Sequence, residues 1–173
     1  VAVTPDGTRL IGGTVDFTAV YPLDPSTGAP DLGHRMTVPN PASALVTADE
    51  RVVAATGDTL ILYQLEGMTL TELSRVTDPR LAGAHRLAVS PDGAHVYALS
   101  FSGSSLTGWT IADGTLTRVA ELSAVAGLDR PDGLAIADDG LHLYTAGFCD
   151  WNIGIFRREP STGGLTWAGA AFA

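Results

Sequence analysis

The chain has 173 residues, enough for one domain with a core, and 45% of them are apolar, which excludes disorder by composition. A formal net charge of −9 disfavours duplex nucleic acid and anionic membrane surfaces as partners. All ten basic residues are Arg, which removes lysine Schiff-base chemistry, and the absence of a long uninterrupted apolar run argues against membrane insertion by a helix.

The elements repeat from the start of the chain. The first unit, residues 1–40, opens with a strand at Val1–Thr4 and a Pro-Asp-Gly turn. Strands at Leu10–Thr14, Ala19–Leu23 and Leu32–Val38 follow. Pro presets φ in such a turn and Gly accepts φ > 0, so the turn reverses the chain sharply. Pro22 lies inside the third strand, where its missing N–H breaks a ladder bond, and is read as a bulge. The second unit, residues 41–84, has strands at Ala44–Thr47, Val52–Thr56, Leu60–Leu65 and Leu70–Val76.

The third unit, residues 85–130, places strands at Leu87–Ser90, Val96–Ser100, Leu106–Ile111 and Leu116–Leu122. The fourth, residues 131–173, has Leu134–Ala137, Leu143–Gly147, Ile153–Arg157 and Leu165–Phe172. The turn aspartates Asp6, Asp49, Asp92 and Asp139 step by 43, 43 and 47 residues, and Tyr21, Tyr63, Trp109 and Phe156 by 42, 46 and 47. Both rulers give the period of a four-stranded propeller blade. The second strand of each unit is almost continuously apolar or small, as in a strand covered on both faces. Leu70/Leu73/Val76 and Leu116/Val119/Leu122 are spaced by three, which hints at helix, but a bulge in an outer strand also breaks period two. The expected fold is therefore all-β: a β-propeller segment of four consecutive four-stranded antiparallel blades.

The stretches LAVSPDGAHVYALSFSGSSLTGW and GLAIADDGLHLYTAGFCDWNIGIFRREPSTGGLTWAG resemble blades of the lactonase-like, YVTN-type seven-bladed propellers. The resemblance covers the chain and is weakest in unit two, where Ala48-Asp49-Glu50 replaces the Pro-Asp-Gly turn. The WD40 class ranks below it, because no Trp-Asp dipeptide ends a third strand. The resemblance implies blades around a central channel. It also implies bacterial relatives that include sugar-lactone hydrolases and exported or surface proteins. Four blades leave two sheet faces bare, so the expected partners are the remaining blades of a longer propeller or a second copy of the chain. Val1 already lies in a strand pattern, so the chain is expected to be a trimmed or processed piece. The expected compartment is extracytoplasmic.

Propeller ligands bind at the channel mouth, where the loops entering each first strand converge. Here those loops carry Asn40, His85, Arg86, Arg130 and Asp132. Two guanidiniums near a histidine suit a small anionic ligand. If the protein is a lactonase of the 6-phosphogluconolactonase type, His85 is the candidate base, and Arg86 or Arg130 the oxyanion stabiliser. No Glu lies in these loops to serve as acid. The leading expectation is a non-catalytic repeat scaffold that binds a partner protein or small ligand at the mouth; lactone hydrolysis is the alternative.

No cofactor or metal is implied. His95 and His142 begin equivalent strands one blade apart and read as surface residues beside an Asp, too far apart for a shared metal. Asp138 and Asp139 offer too few oxygens for calcium. Asp16, Asp58 and Asp150 read as turn caps. The lone Cys149 reads as a small packing residue. Trp151 beside it is either packed or a contact surface. No phosphate-binding loop, GxSxG elbow, HExxH or CxxC motif is present.

Overall fold

A computed structural model describes residues 1–14, 16–39, 43–46 and 50–172 of the chain. Sixteen strands form four separate antiparallel sheets, each a four-strand meander in chain order. The first sheet holds β1 (Ala2–Val3), β2 (Arg9–Gly13), β3 (Thr18–Pro22) and β4 (Met36–Val38). The second holds β5 (Ser43–Val46), β6 (Arg51–Thr56), β7 (Thr59–Glu66) and β8 (Thr69–Thr77). The third holds β9 (Ala84–Val89), β10 (His95–Ser100), β11 (Ser105–Ala112) and β12 (Thr115–Ser123). The fourth holds β13 (Pro131–Ile136), β14 (His142–Gly147), β15 (Asn152–Arg158) and β16 (Leu165–Phe172). Among the described residues the only helical element is a 3₁₀ turn at Pro79–Leu81, capped by the Asp78 carboxylate accepting the Arg80 N–H.

Each sheet packs on the next, and the innermost strands β5, β9 and β13 neighbour one another around the hub. β6, β7, β10 and β11 are buried on both faces, which explains their near-continuous apolar sequence. Val53, Leu60 and Leu62 of the second sheet pack with Val96, Trp109 and Ile111 of the third. Tyr97, Leu99 and Leu106 of the third pack with Leu143 and Phe156 of the fourth. In the fourth sheet the alternation returns: Leu143, Thr145 and Phe156 are buried against the third, while Tyr144 and Ile153 are exposed on the opposite, apolar flank.

The triplet spacing of the outer strands is caused by bulges. Leu62 and Tyr63 pair with Ser74 and Glu72, so Leu73 is extra. Val119 is extra opposite Gly108 and Trp109, and Ala168 opposite Ile155 and Phe156. Each bulge faces the strand that carries the blade's large aromatic, and it adds twist without introducing helix. Pro22 makes no bulge: β2 and β3 pair without a shift and Pro22 ends the strand opposite Arg9. Its lost N–H therefore falls at the end of the ladder.

Candidate functional site

The candidate site lies on the rim where β9 and β13 begin. His85, Arg86 and Asp132 sit within these innermost strands rather than in the loops before them. His85 Nε2 is 2.9 Å from Asp132 Oδ1, and the Arg86 guanidinium is 2.8 Å from the same oxygen. Arg86 Nε also donates to the Asp132 carbonyl at 3.0 Å. An imidazole and a guanidinium of the third blade thus converge on one carboxylate of the fourth. Among the described residues none takes Asp132 Oδ2. His85 Nδ1 faces the Gly83 carbonyl at 3.2 Å, so both ring nitrogens already meet oxygen acceptors. The ring also meets Phe101 edge-on, with centroids 5.8 Å apart.

Arg130 is exposed and immediately precedes β13. Its φ of 47° is left-handed, whereas the matching position of the third blade is Gly83, with φ of 70°. Glycine adopts that conformation freely and arginine does not. The two positions do the same backbone work: the Gly83 carbonyl accepts the Phe101 N–H, and the Arg130 carbonyl accepts the Phe148 N–H. Asn40 lies outside the described residues. The structure thus brings together three of the five expected ligand residues, and Arg130 stands beside them in sequence, one residue before Pro131.

A second polar cluster, on the turn side of the blades, was not legible as such. His95 is buried, not a surface residue, and Arg158 is the reason. Arg158 is 2% exposed at its side chain and crosses from the fourth blade to the third. It donates to Asp92 at 2.9 Å, His95 Nδ1 at 2.8 Å, the Tyr97 hydroxyl at 2.9 Å and the Gly140 carbonyl at 2.9 Å. Burial and the Arg158 charge push the His95 imidazole below its ordinary range, against the opposing pull of Asp92. Burial alone would raise the Asp92 carboxyl, but bonds from the Ser90 hydroxyl, the Ala94 N–H and Arg158 outweigh it and hold it at about 2. The signal in the sequence was an arginine at the buried end of an apolar strand. Arg9 repeats the device between the first two blades, reaching Glu50 at 2.5 Å and the Gly67 carbonyl at 2.7 Å. Both arginines join neighbouring blades, although Arg9 Nε is buried with no partner among the described residues.

The remaining candidates are structural. His142 is 3.2 Å from Asp139 at a turn. Among the described residues no group of three or more His, Cys, Asp or Glu side chains is placed to hold a metal. Asp150 caps its loop, accepting the Gly127 N–H at 2.6 Å and the Asn152 N–H at 3.3 Å. Cys149 and Trp151 are both exposed.

Residues 25–173 match the family described as "Lactonase, 7-bladed beta-propeller". A search among curated protein sequences finds no match. Among solved structures, the chain resembles a candidate 6-phosphogluconolactonase of Bacteroides fragilis, at 22% identity and a TM-score of 0.83, over 99% of this chain and 53% of that one. It resembles the periplasmic gluconolactonase of Pseudomonas aeruginosa at 20% identity and a TM-score of 0.77, over 98% of this chain and 52% of that one. At these identities the likeness shows the fold, and the chain spans about half the length of the structures it resembles.

Proposed function

Because this chain belongs to the lactonase family of seven-bladed β-propellers, we propose that its rim site serves the hydrolysis of a sugar lactone carrying an anionic group. The observation that carries the reading is the convergence of His85 and Arg86 on Asp132 across the seam between two blades. Family membership and the lactonase neighbours favour this reading over a purely non-catalytic scaffold.

Asp132, rather than His85, is the base that the hydrogen bonds favour. Both His85 ring nitrogens already face oxygens of the chain, so neither is directed at a water. Asp132 is held through Oδ1 and its carbonyl, and its half-exposed side chain leaves Oδ2 for a water. In this mechanism Oδ2 takes a proton from a water whose oxygen adds to the lactone carbonyl carbon. The carbonyl oxygen becomes an oxyanion beside the Arg86 guanidinium. The carbon–ring-oxygen bond then breaks, and the ring oxygen receives the proton that Asp132 took. His85 is a positioning residue, and Arg130 binds the distal anion of the substrate. Further blades cover the bare flank of the fourth sheet; where they are missing, a second copy of the chain does. An extracytoplasmic setting fits this reading through the periplasmic neighbour.

The test is a pH-stat assay of δ-gluconolactone and its 6-phosphate against the spontaneous rate. The account expects catalysed opening of both, with lower KM for the phosphorylated lactone. No acceleration of either would remove the hydrolytic reading and leave the binding scaffold.

A further inference from the structure

The side chains that receive Arg158 on the third blade recur on the fourth. Asp92, His95 and Tyr97 return 47 residues later as Asp139, His142 and Tyr144. In both blades a backbone N–H two residues after the aspartate ties its carboxylate, from Ala94 at 3.0 Å and from Leu141 at 2.7 Å. His95 and Tyr97 lie on the face of β10 that meets the following blade, and His142 and Tyr144 lie on the same face of β14.

The two copies differ in one respect. At the seam of the third and fourth blades, Arg158 Nη2 stands between Asp92 Oδ2, at 2.9 Å, and His95 Nδ1, at 2.8 Å. On the fourth blade the same two atoms, Asp139 Oδ2 and His142 Nδ1, face each other directly at 3.2 Å. Among the described residues no guanidinium bonds to Asp139, His142 or Tyr144. Tyr97 is fully buried, with its hydroxyl between Arg158 Nε and the Gly163 carbonyl, whereas Tyr144 is 38% exposed.

The other seams show that the arriving residue matches what it meets. Two positions after the third-strand aromatic, successive blades carry Leu65, Ile111 and Arg158. Leu65 packs in the core that holds Ile11, and Ile111 in the core that holds Val53. Ile11 and Val53 occupy the Tyr97 position of their own blades, as the strand registers show. Apolar thus meets apolar, and tyrosine meets arginine. A phenol buried against leucine would lose its hydrogen-bond partner.

We propose that Asp139, His142 and Tyr144 form a socket for an arginine brought by a further β-blade, one whose third strand ends in arginine as β15 does. The assignment rests on further blades covering the fourth sheet, and it names the group that they bring. A carboxylate, an imidazole and a phenol set side by side match the several fixed donors of one guanidinium. The arriving blade also needs a glycine five residues after its arginine: Gly163 lies so close over His95 that an added Cβ would stand 2.0 Å from the ring. A second copy docking its first sheet here would bring Leu23 to the arginine position and leave the socket unmet. The family is seven-bladed and this chain holds four sheets, so a further blade has a place in the family's ring.

The test appends a duplicate of residues 131–173 to the end of the full chain, so that the duplicate's own Arg158 faces Asp139, His142 and Tyr144. Native-state hydrogen exchange reads docking of the appended unit as a protection factor. The appended third strand is expected to be protected. Arg158→Leu in the duplicate should lower that protection about tenfold, the scale of one charge-assisted hydrogen bond. Asp139→Asn and Tyr144→Phe in the original fourth blade should each weaken docking of the arginine duplicate and leave the leucine duplicate little changed. Both acceptor side chains are exposed, so the host fold tolerates these changes. A leucine duplicate docked as firmly as the arginine one, or acceptor variants that weaken both alike, would overturn the socket while leaving a blade on that flank. A duplicate unprotected in every variant would overturn both.

Discussion

His85 and Asp132 are 47 residues apart in sequence and 2.9 Å apart in space, joining the third blade to the fourth at the rim. They occupy the same position of successive blades, so the repeat itself makes the contact. The bond holds the Asp132 carboxylate in place from a neighbouring sheet. His85→Gln keeps one donor and loses the geometry. We expect kcat to fall about tenfold or more with KM little changed, as for other outer-shell positioning partners. A steady-state comparison of the two parameters checks this; a change confined to KM would assign His85 to binding.

Arg130 holds a left-handed conformation that Gly83 holds for free one blade earlier. Arg130→Gly should therefore stabilise the fold by about 1 kcal/mol while weakening binding of an anionic ligand. Urea denaturation and calorimetry with glucose 6-phosphate measure the two effects on one variant. A loss of stability would show that the arginine side chain supports the fold rather than the ligand.

Arg158 satisfies a carboxylate, an imidazole, a phenol and a carbonyl at the seam of the third and fourth blades. Arg158→Met strips a donor from each and should cost about 3 kcal/mol in urea denaturation, with Asp92 able to recover some solvation because it is half exposed. A cost below about 1 kcal/mol would mean that water replaces the guanidinium without penalty.

His95 makes the same seam sensitive to acid. Its imidazole accepts from Arg158, so a proton on Nδ1 would break that bond and place two cations together. Its folded value lies below the ordinary 6.5. Below pH 6.5 the unfolded chain therefore takes up a proton that the folded chain refuses, and stability falls with pH until the folded value is reached. Asp92, held at about 2, keeps its charge throughout this window, and Tyr97 is pushed up by burial and stays neutral. Thermal melts from pH 7.5 to 5.5 should lose stability in wild type and much less in His95→Gln. Parallel losses in both proteins would place the titration elsewhere.

The exposed flank of Tyr144 and Ile153 should drive self-association of the chain. Sedimentation velocity should show species heavier than the 17.9 kDa monomer that grow with concentration. Ile153→Glu should shift them toward monomer; a strict monomer at high concentration would show that the flank tolerates water.

The blade architecture was legible because the constraint repeats: two rulers, one on the turns and one on the aromatics, gave one period. The bulges at Leu73 and Val119 were visible as a broken alternation, and the repeat decided for bulged strands over helix. The rim residues were legible because equivalent positions of successive blades converge on the hub. Their pairing was not, since nothing in the local sequence says that Asp132 sits between His85 and Arg86. His95 escaped recognition for the same reason: Arg158, which buries it, lies 63 residues away. Pro22 was placed in the right strand and misread as a bulge, because one residue decides between an interior position and a strand end.

The most direct measurement of the central claim is kcat for opening of the 6-phosphorylated lactone by Asp132→Asn. The amide keeps the shape of the carboxylate and cannot take a proton from water, so kcat should fall by a factor of about 100 to 10,000 while binding of glucose 6-phosphate persists. Turnover at the wild-type rate in that variant would contradict the account.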